Sequence, residues 1–432
     1  MSTLAKQARD QLVKRFLGRQ GSVAQDAVPA AAAAVSEAYT RFDRHPGYEK
    51  IMVPRAAAQR LGVTNPYFKT HQGIGGALTQ IDGRPYLNFA SYNYLGLSGH
   101  PRVTKAAKDA IDRYGTSVSA SRLVAGERPI QRELELALAE LYDTDDCAVF
   151  VSGHATNVTT IGYLFGPKDL VVHDSLIHNS VLEGIKLSGA TRRAFAHNDA
   201  QALEAVLAEM RGQFQRVLIV IEGVYSMDGD FPDLPHFIDI KQRYKCFLMV
   251  DEAHSVGVMG QTGRGLREHF NLPGNSVDIW MGTLSKSLAG CGGYIAGETA
   301  LIDNLKYAAP GFVYSVGIAP PVAAAALEAL HVMLAEPDRV ERLQSRSRHL
   351  LHLLRERGID TGHAQGYAVV PAISGSSLKA TKLSNALFEQ GVNVQPILYP
   401  AVEEKAARLR FFVSCLHTEQ QLETVADLLA KS

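Results

Sequence analysis

Gly282-Thr283-Leu284-Ser285-Lys286-Ser287-Leu288 follows a short apolar run, Val277 to Met281, and sets one lysine among small and hydroxyl residues. Upstream, a second apolar run from Cys246 to Val250 ends in Asp251-Glu252-Ala253-His254. Working outward, further strand-like runs occur at Ala148 to Val151, Leu170 to Val172, Val217 to Ile221 and Tyr294 to Ala296, with helical stretches between them. Strands that alternate with helices predict an α/β fold with a mostly parallel central sheet and helices on both faces. Such sheets bind ligands at the carboxyl ends of their strands, which is where Asp251 and Lys286 fall.

Outside this region the pattern changes. Ile81-Asp82-Gly83-Arg84-Pro85-Tyr86-Leu87 carries an Asp-Gly hairpin signal. Beyond Pro320, two helical readings, Val322 to Ala335 and Val340 to Arg357, precede strand-like Tyr367 to Pro371, Val392 to Gln395 and Leu409 to Ser414, then a closing helix from Glu419 to Leu429. The expected organisation is an N-terminal helical arm and linker over 1–80, a large domain over 81–320 and a smaller α+β domain over 321–432. Lys6, Arg9, Lys14 and Arg15 alternate with Leu4, Ala8, Leu12, Phe16 and Leu17 as in an amphipathic helix. It could lie on a membrane surface or an acidic carrier protein, or pack on its own subunit or a dimer partner. An Ala/Pro run from Ala27 to Val35 reads as a linker.

Lysine plus arginine and aspartate plus glutamate both number 44, so no net charge calls for a nucleic-acid partner. No run is long enough to span a bilayer. The four cysteines lack metal or CxxC spacing, which fits a reduced cytoplasm and no metal centre.

A lysine and an aspartate at the ends of neighbouring strands suit pyridoxal 5′-phosphate (PLP): the amine forms a Schiff base with the aldehyde, and the carboxylate keeps the ring nitrogen protonated. Asp251-Glu252 alone could also be a Walker-B-like metal site, but no GxxxxGK[ST] loop precedes it. His254 could meet a phenolic ring oxygen or be satisfied by local backbone. Ser152-Gly153-His154-Ala155-Thr156-Asn157, a small-residue turn opening a helix, offers N–H groups to a phosphate, and Thr283 and Ser285 add hydroxyls. His178 could stack on the flat ring or be an exposed loop residue. Arg410, in the apolar run Arg408 to Val413, needs a carboxylate from an amino-acid substrate or from a structural ion pair.

Together these segments resemble the α-oxoamine synthases, fold-type I PLP enzymes that include 8-amino-7-oxononanoate synthase, serine palmitoyltransferase, 5-aminolevulinate synthase and 2-amino-3-ketobutyrate CoA ligase. The resemblance runs from roughly Ile81 to the C-terminus. It rests on Ser91-Tyr92-Asn93-Tyr94-Leu95-Gly96-Leu97, Ser121-Arg122-Leu123-Val124-Ala125-Gly126, Glu222-Gly223-Val224-Tyr225-Ser226-Met227-Asp228-Gly229-Asp230, Asp251-Glu252-Ala253-His254-Ser255-Val256-Gly257 and Thr283-Leu284-Ser285-Lys286. It implies Lys286 as the Schiff-base lysine, Asp251 as the ring-nitrogen partner and His178 as the stacking residue. His254 and Ser226 would contact the ring oxygen, and Gly153, His154, Thr283 and Ser285 the phosphate. Ser315 would complete that phosphate site from a second subunit, so a homodimer with shared active sites is implied. Arg410 would bind the substrate carboxylate, with Asn93 near the substrate.

The implied reaction is decarboxylative condensation of a small amino acid with an acyl thioester, from CoA or an acyl carrier protein. An aminotransferase or a CoA-dependent 2-amino-3-ketoacid lyase would use the same lysine and aspartate. A silent partner subunit of a synthase heterodimer would be expected to lack the lysine. His154 stands where the family usually has Phe or Tyr, Asn179 where Ala is usual, and the first eighty residues are longer than in the short members.

Overall fold

The computed structural model describes residues 35–60 and 62–432. The amphipathic segment Leu4 to Leu17, and all of the Ala/Pro run except Val35, lie outside the described residues. The chain divides after Asn65. The first unit holds two short 3-10 turns and the helix Pro46–Arg60.

In the second unit, seven strands form the central sheet: β1 (Asp146–Phe150), β2 (Leu170–Asp174), β3 (Thr191–Phe195), β4 (Val217–Glu222), β5 (Phe247–Asp251), β6 (Ile279–Thr283) and β7 (Gly293–Gly297). Their order is β1-β7-β6-β5-β4-β2-β3. Strand β7 runs antiparallel to both its neighbours, and the other pairings are parallel. Every residue of β1, β2, β4 and β7 is buried, as expected of a sheet covered on both faces. Alternate residues serve opposite layers: Leu170, Val172, Ile219, Leu248 and Trp280 pack in one apolar cluster, and Val171, Leu218, Val220, Met249 and Met281 in the other. Each fully buried aliphatic side chain of this kind contributes roughly 1.5–3 kcal/mol, so the strands are fixed from both sides.

The hairpin pairs Leu78–Ile81 with Arg84–Asn88, and its tip residues Asp82 (φ 50°) and Gly83 (φ 75°) both take the left-handed conformation of a type I′ turn. The C-terminal part contains helices Pro320–Ala335, Asp338–Glu356 and Glu419–Lys431. Its three-stranded antiparallel sheet has Arg408–Phe412 between Val369–Ile373 and Gln395–Ile397. The apolar run Val392 to Gln395 is split: Val392–Asn393 joins the early hairpin as a parallel strand beside Arg84–Asn88, and Gln395 belongs to the other sheet. No helix among the described residues is long and apolar enough to cross a membrane.

Candidate active site

Asp251 is the last residue of β5, and Lys286 lies in the turn after β6. That turn is closely held. Leu284 donates its N–H to the Gly292 carbonyl at 3.0 Å, Gly290 to Leu284 at 2.8 Å, and the Ser287 hydroxyl reaches the Val256 carbonyl at 2.8 Å. Burial lowers the Lys286 amine to about 8; Asp251 and Glu222 pull the other way, and the Arg410 charge adds to the lowering. Lys286 Nζ sits 5.7 Å from the centroid of the Tyr92 ring. With Gly153, His154, His178, Asp251, His254 and Thr283 it lines one cavity at the carboxyl end of the sheet.

A hydrogen-bonded chain fixes the acid and the stacking candidate together. Asp251 Oδ2 accepts from Asn157 Nδ2 at 2.8 Å, and its Oδ1 from the Ala253 N–H at 3.0 Å. The same Asn157 nitrogen reaches Ser180 Oγ at 2.9 Å, and Ser180 Oγ lies 2.7 Å from His178 Nδ1. His178 also caps the helix Asn179–Ser188, accepting from the Ser180 N–H. His154 meets the His178 ring edge-on, with centroids 6.5 Å apart. The Tyr94 hydroxyl holds His254 Nδ1 at 2.8 Å. Burial, followed by the charges of Lys286 and Arg410, holds His254 well below the usual imidazole range, so it is neutral.

Glu222 ends β4 opposite Asp251 in register. Burial, then the Asp251 charge, drives its carboxyl well above the ordinary carboxylate range. Its Oε2 accepts from the Ser226 N–H at 3.2 Å. Glu252 faces elsewhere, capping the Leu266 N–H at 3.0 Å, so Asp251 and Glu252 do not converge as metal ligands would.

Ser152 caps the helix Gly153–Leu164, accepting from the Ala155 N–H at 3.4 Å. A Cβ on Gly153 would stand 2.9 Å from Thr283 Oγ1, so only glycine lets this helix start approach β6 so closely. The first-turn N–H groups and the Thr283 hydroxyl therefore sit side by side, an arrangement suited to an anion. Ser285 lies in the same turn, its hydroxyl 3.5 Å from the Gly292 carbonyl.

Arg408 and Arg410 project from the same face of their strand toward the loop after β4. Arg408 is paired: it contacts Asp228 at 2.6 Å and the Met227 carbonyl at 2.9 Å. Arg410 donates from Nη1 to the Ser226 carbonyl at 2.9 Å and stacks 4.4 Å from the Phe412 ring. Its buried Nε has no partner, and no carboxylate reaches it among the described residues.

Asn93, Ser226, Ser285 and Arg410 lie outside the lining of this cavity, as does Ser315, which is expected to serve a second subunit. The Asn93 amide is occupied by the Gly75 carbonyl at 2.8 Å and the Ser98 N–H at 3.2 Å, and Ser315 Oγ turns to the Val316 carbonyl at 3.3 Å. Ser226 reaches the site through its backbone, between Glu222 and Arg410. Sequence reasoning passed over Asn157, Ser180 and Glu222 as site residues. Asn157 closes the quoted turn and Glu222 heads a quoted motif, so position alone could have pointed to both.

The family model for Aminotransferase class I and II matches residues 84–429, and the chain belongs to that family. It is 41% identical over 364 residues to a putative 8-amino-7-oxononanoate synthase of Gloeobacter violaceus, a match covering 84% of this chain and 92% of that one. With the 8-amino-7-oxononanoate synthase of Symbiobacterium thermophilum it shares 40% over 351 residues, covering 81% and 89%. A serine palmitoyltransferase of Sphingomonas wittichii matches with a TM-score of 0.85 at 28% identity over 89% of this chain and 97% of that one. A structure of that enzyme type with a PLP internal aldimine gives 0.85 at 27% identity, with the same coverage. Within the family, the chain is an α-oxoamine synthase with the fold-type I architecture of PLP enzymes.

Proposed function

We propose that this protein condenses a small amino acid with an acyl thioester and releases CO2 and a free thiol, leaving an α-amino ketone. The observation that carries the reading is Arg410: a half-buried guanidinium whose buried Nε is unpaired, with no acidic partner among the described residues, in the electrostatic field of Lys286 and His254. Burying such a charge is costly unless a carboxylate arrives, and an amino-acid substrate brings one.

The residues present suit PLP: the Gly153 turn beside Thr283 for a phosphate, a carboxylate for a ring nitrogen, and a lysine of lowered pKa for an aldehyde. PLP, when bound, supplies the aldehyde that takes up the amino group and a ring that withdraws electrons from Cα. Lys286 Nζ would hold the cofactor through its aldehyde, and its amine, lowered to about 8, would be the base that takes the Cα proton and the acid that returns one. Asp251, oriented by Asn157, would keep a proton on the ring nitrogen. His178 would cover one ring face, and His254 with Ser226 would meet the ring oxygen. Gly153, His154, Thr283 and Ser285 would hold the phosphate, and Arg410 would hold the substrate carboxylate. Asn93, held by the Gly75 carbonyl and the Ser98 N–H, would lie near the substrate in this reading.

The reading includes a homodimer in which Ser315 of the partner subunit completes the phosphate site. Leu123, Val124, Tyr314 and Val316 are exposed apolar residues on two segments tied by Ser121 Oγ to the Val313 carbonyl at 2.5 Å and by the Gly317 N–H to Ala120 at 3.2 Å. Such a surface supports self-association. The partition into 81–320 and 321–432, a carrier-protein acyl donor and a cytoplasmic location belong to the same proposal; the unpaired Cys147, Cys246, Cys291 and Cys415 support a reducing compartment.

The test supplies glycine, alanine or serine with an acyl-CoA or an acyl carrier protein and follows CO2 and free thiol. Equal release of both supports the condensation. Keto-acid formation without CO2 would mark an aminotransferase, and in a parallel assay with a 2-amino-3-ketoacid and free CoA, thiol consumption would mark a lyase. Full turnover with acyl-CoA alone would remove the carrier protein from the proposal.

A further inference from the structure

His197 lies outside the cavity, between the two loops that carry its walls. Asp174 ends β2 and begins the turn into His178, with its Oδ1 accepting from the Leu176 N–H at 2.8 Å. The same Oδ1 meets His197 Nδ1 at 2.9 Å, and Oδ2 accepts from the Asn198 N–H at 2.8 Å. On its other side, His197 Nε2 meets Asp230 Oδ2 at 2.8 Å, an oxygen that also takes Asn198 Nδ2 at 2.8 Å. Asp230 closes the loop that contains Ser226, because its carbonyl accepts from the Tyr225 N–H at 2.9 Å.

A neutral imidazole has one N–H, yet each ring nitrogen here faces a carboxylate. Filling both contacts requires the imidazolium, and each bond is then charge-assisted. The acids are enclosed: the Asp174 side chain is 0% and that of Asp230 7% exposed, against 16% for His197. The other titratable groups facing the ring are Tyr225, edge-on at 4.4 Å, and His363 at 6.4 Å between centroids. Removing the cation would leave two buried carboxylates facing each other with neutral N–H donors but no compensating charge.

We propose that His197 is a positioning residue, the link that fixes the His178 segment against the Ser226 loop and so sets the ring-stacking wall relative to the substrate-carboxylate end of the site. The Ser226 carbonyl is the atom to which Arg410 donates, so a shift of this loop moves the guanidinium as well. His197 touches neither the lysine nor the cavity wall itself. Its effect passes through Asp174 on one side and Asp230 on the other. The inference rests on the functional reading above.

The test compares the PLP-loaded wild-type protein with His197→Gln and with His197→Gln/Asp230→Asn, using the visible circular dichroism of the bound cofactor, the melting temperature, kcat and the KM values for both substrates. His197→Gln should lower kcat at least tenfold and weaken the cofactor dichroism, with the thioester KM within twofold of wild type. Asp230→Asn in the same chain removes the carboxylate repulsion and should recover melting temperature while kcat and dichroism stay low, because the link is still missing. If His197→Gln does not fold, the double variant carries the same comparison. Dichroism and kcat that return together with melting temperature, or that never fall, overturn the proposal. A wild-type protein that acquires no visible band with PLP, or a band that survives Lys286→Ala, defeats the functional reading and this inference with it.

Discussion

Asn157 and Asp251 are joined by a 2.8 Å hydrogen bond from the amide nitrogen to Oδ2, although they belong to different elements, a helix that begins at Gly153 and the end of β5. The helix whose start is suited to an anion thus also orients the acid at the other side of the cavity. One rigid element sets the distance between the two binding functions.

Asn157→Ala removes that bond and the tie to Ser180. A hydrogen bond to a charged group is worth about 1.5–3 kcal/mol, so kcat should fall by roughly ten- to a hundredfold if the whole loss appears in the transition state. Steady-state kinetics at saturating substrates checks this. An unchanged kcat would show that Asp251 orients itself.

Arg410→Ala should raise the amino-acid KM by roughly ten- to a hundredfold, from the same range for a charge-assisted bond, and leave the thioester KM unchanged. Arg410→Lys keeps the charge and loses the planar fork, so it should recover only part of the affinity. A KM effect confined to the thioester would assign Arg410 to the acyl donor.

Lys286 with its amine near 8 should attach PLP faster as pH rises, because the neutral amine is the nucleophile. The sign follows from its lowering: the rate of apoprotein reconstitution should climb about tenfold per pH unit below 8 and level off above it. Stopped-flow absorbance checks this. A rate still climbing at pH 10 would mean that the amine keeps its ordinary value of 10.5.

For His197 the direction is opposite. Burial opposes its charge, but Asp174 and Asp230 outweigh it and push the imidazole up to about 10 from 6.5. A raised folded-state value means the stabilisation is complete below pH 6.5 and is lost as pH rises through about 10. The melting temperature of wild type relative to His197→Gln/Asp230→Asn should therefore narrow between those limits. A constant difference across pH 6.5–10 would rule out the imidazolium.

Arg408→Ala strands Asp228 in a buried position, and breaking such a pair costs about 3–5 kcal/mol. Urea denaturation should show an unfolding free energy lower by that amount. A change below about 1 kcal/mol would class the pair with exposed ones.

The central sheet was legible because its strands are buried on both faces and read as continuous apolar runs. Strand β3 was not, since its edge position leaves Arg192 and Arg193 exposed and removes the apolar signal. The run Val392 to Gln395 looked like one strand, because nothing in its composition marks the change of sheet at Val394. Lys286, Asp251 and Arg410 stood out as charged groups in apolar or small-residue settings. Asn157 and Glu222 stand in recognisable motifs, but the partner that gives Asn157 its role, Asp251, lies 94 residues away, and no local pattern encodes that contact.

The early hairpin is completed by a two-residue strand, and Asn393 Nδ2 bonds Asn88 Oδ1 at 3.0 Å across a separation of 305 residues. Closing so large a loop is slow. During synthesis, the outer edge of the hairpin therefore keeps its backbone groups in water until Asn393, 305 residues after Asn88, has emerged.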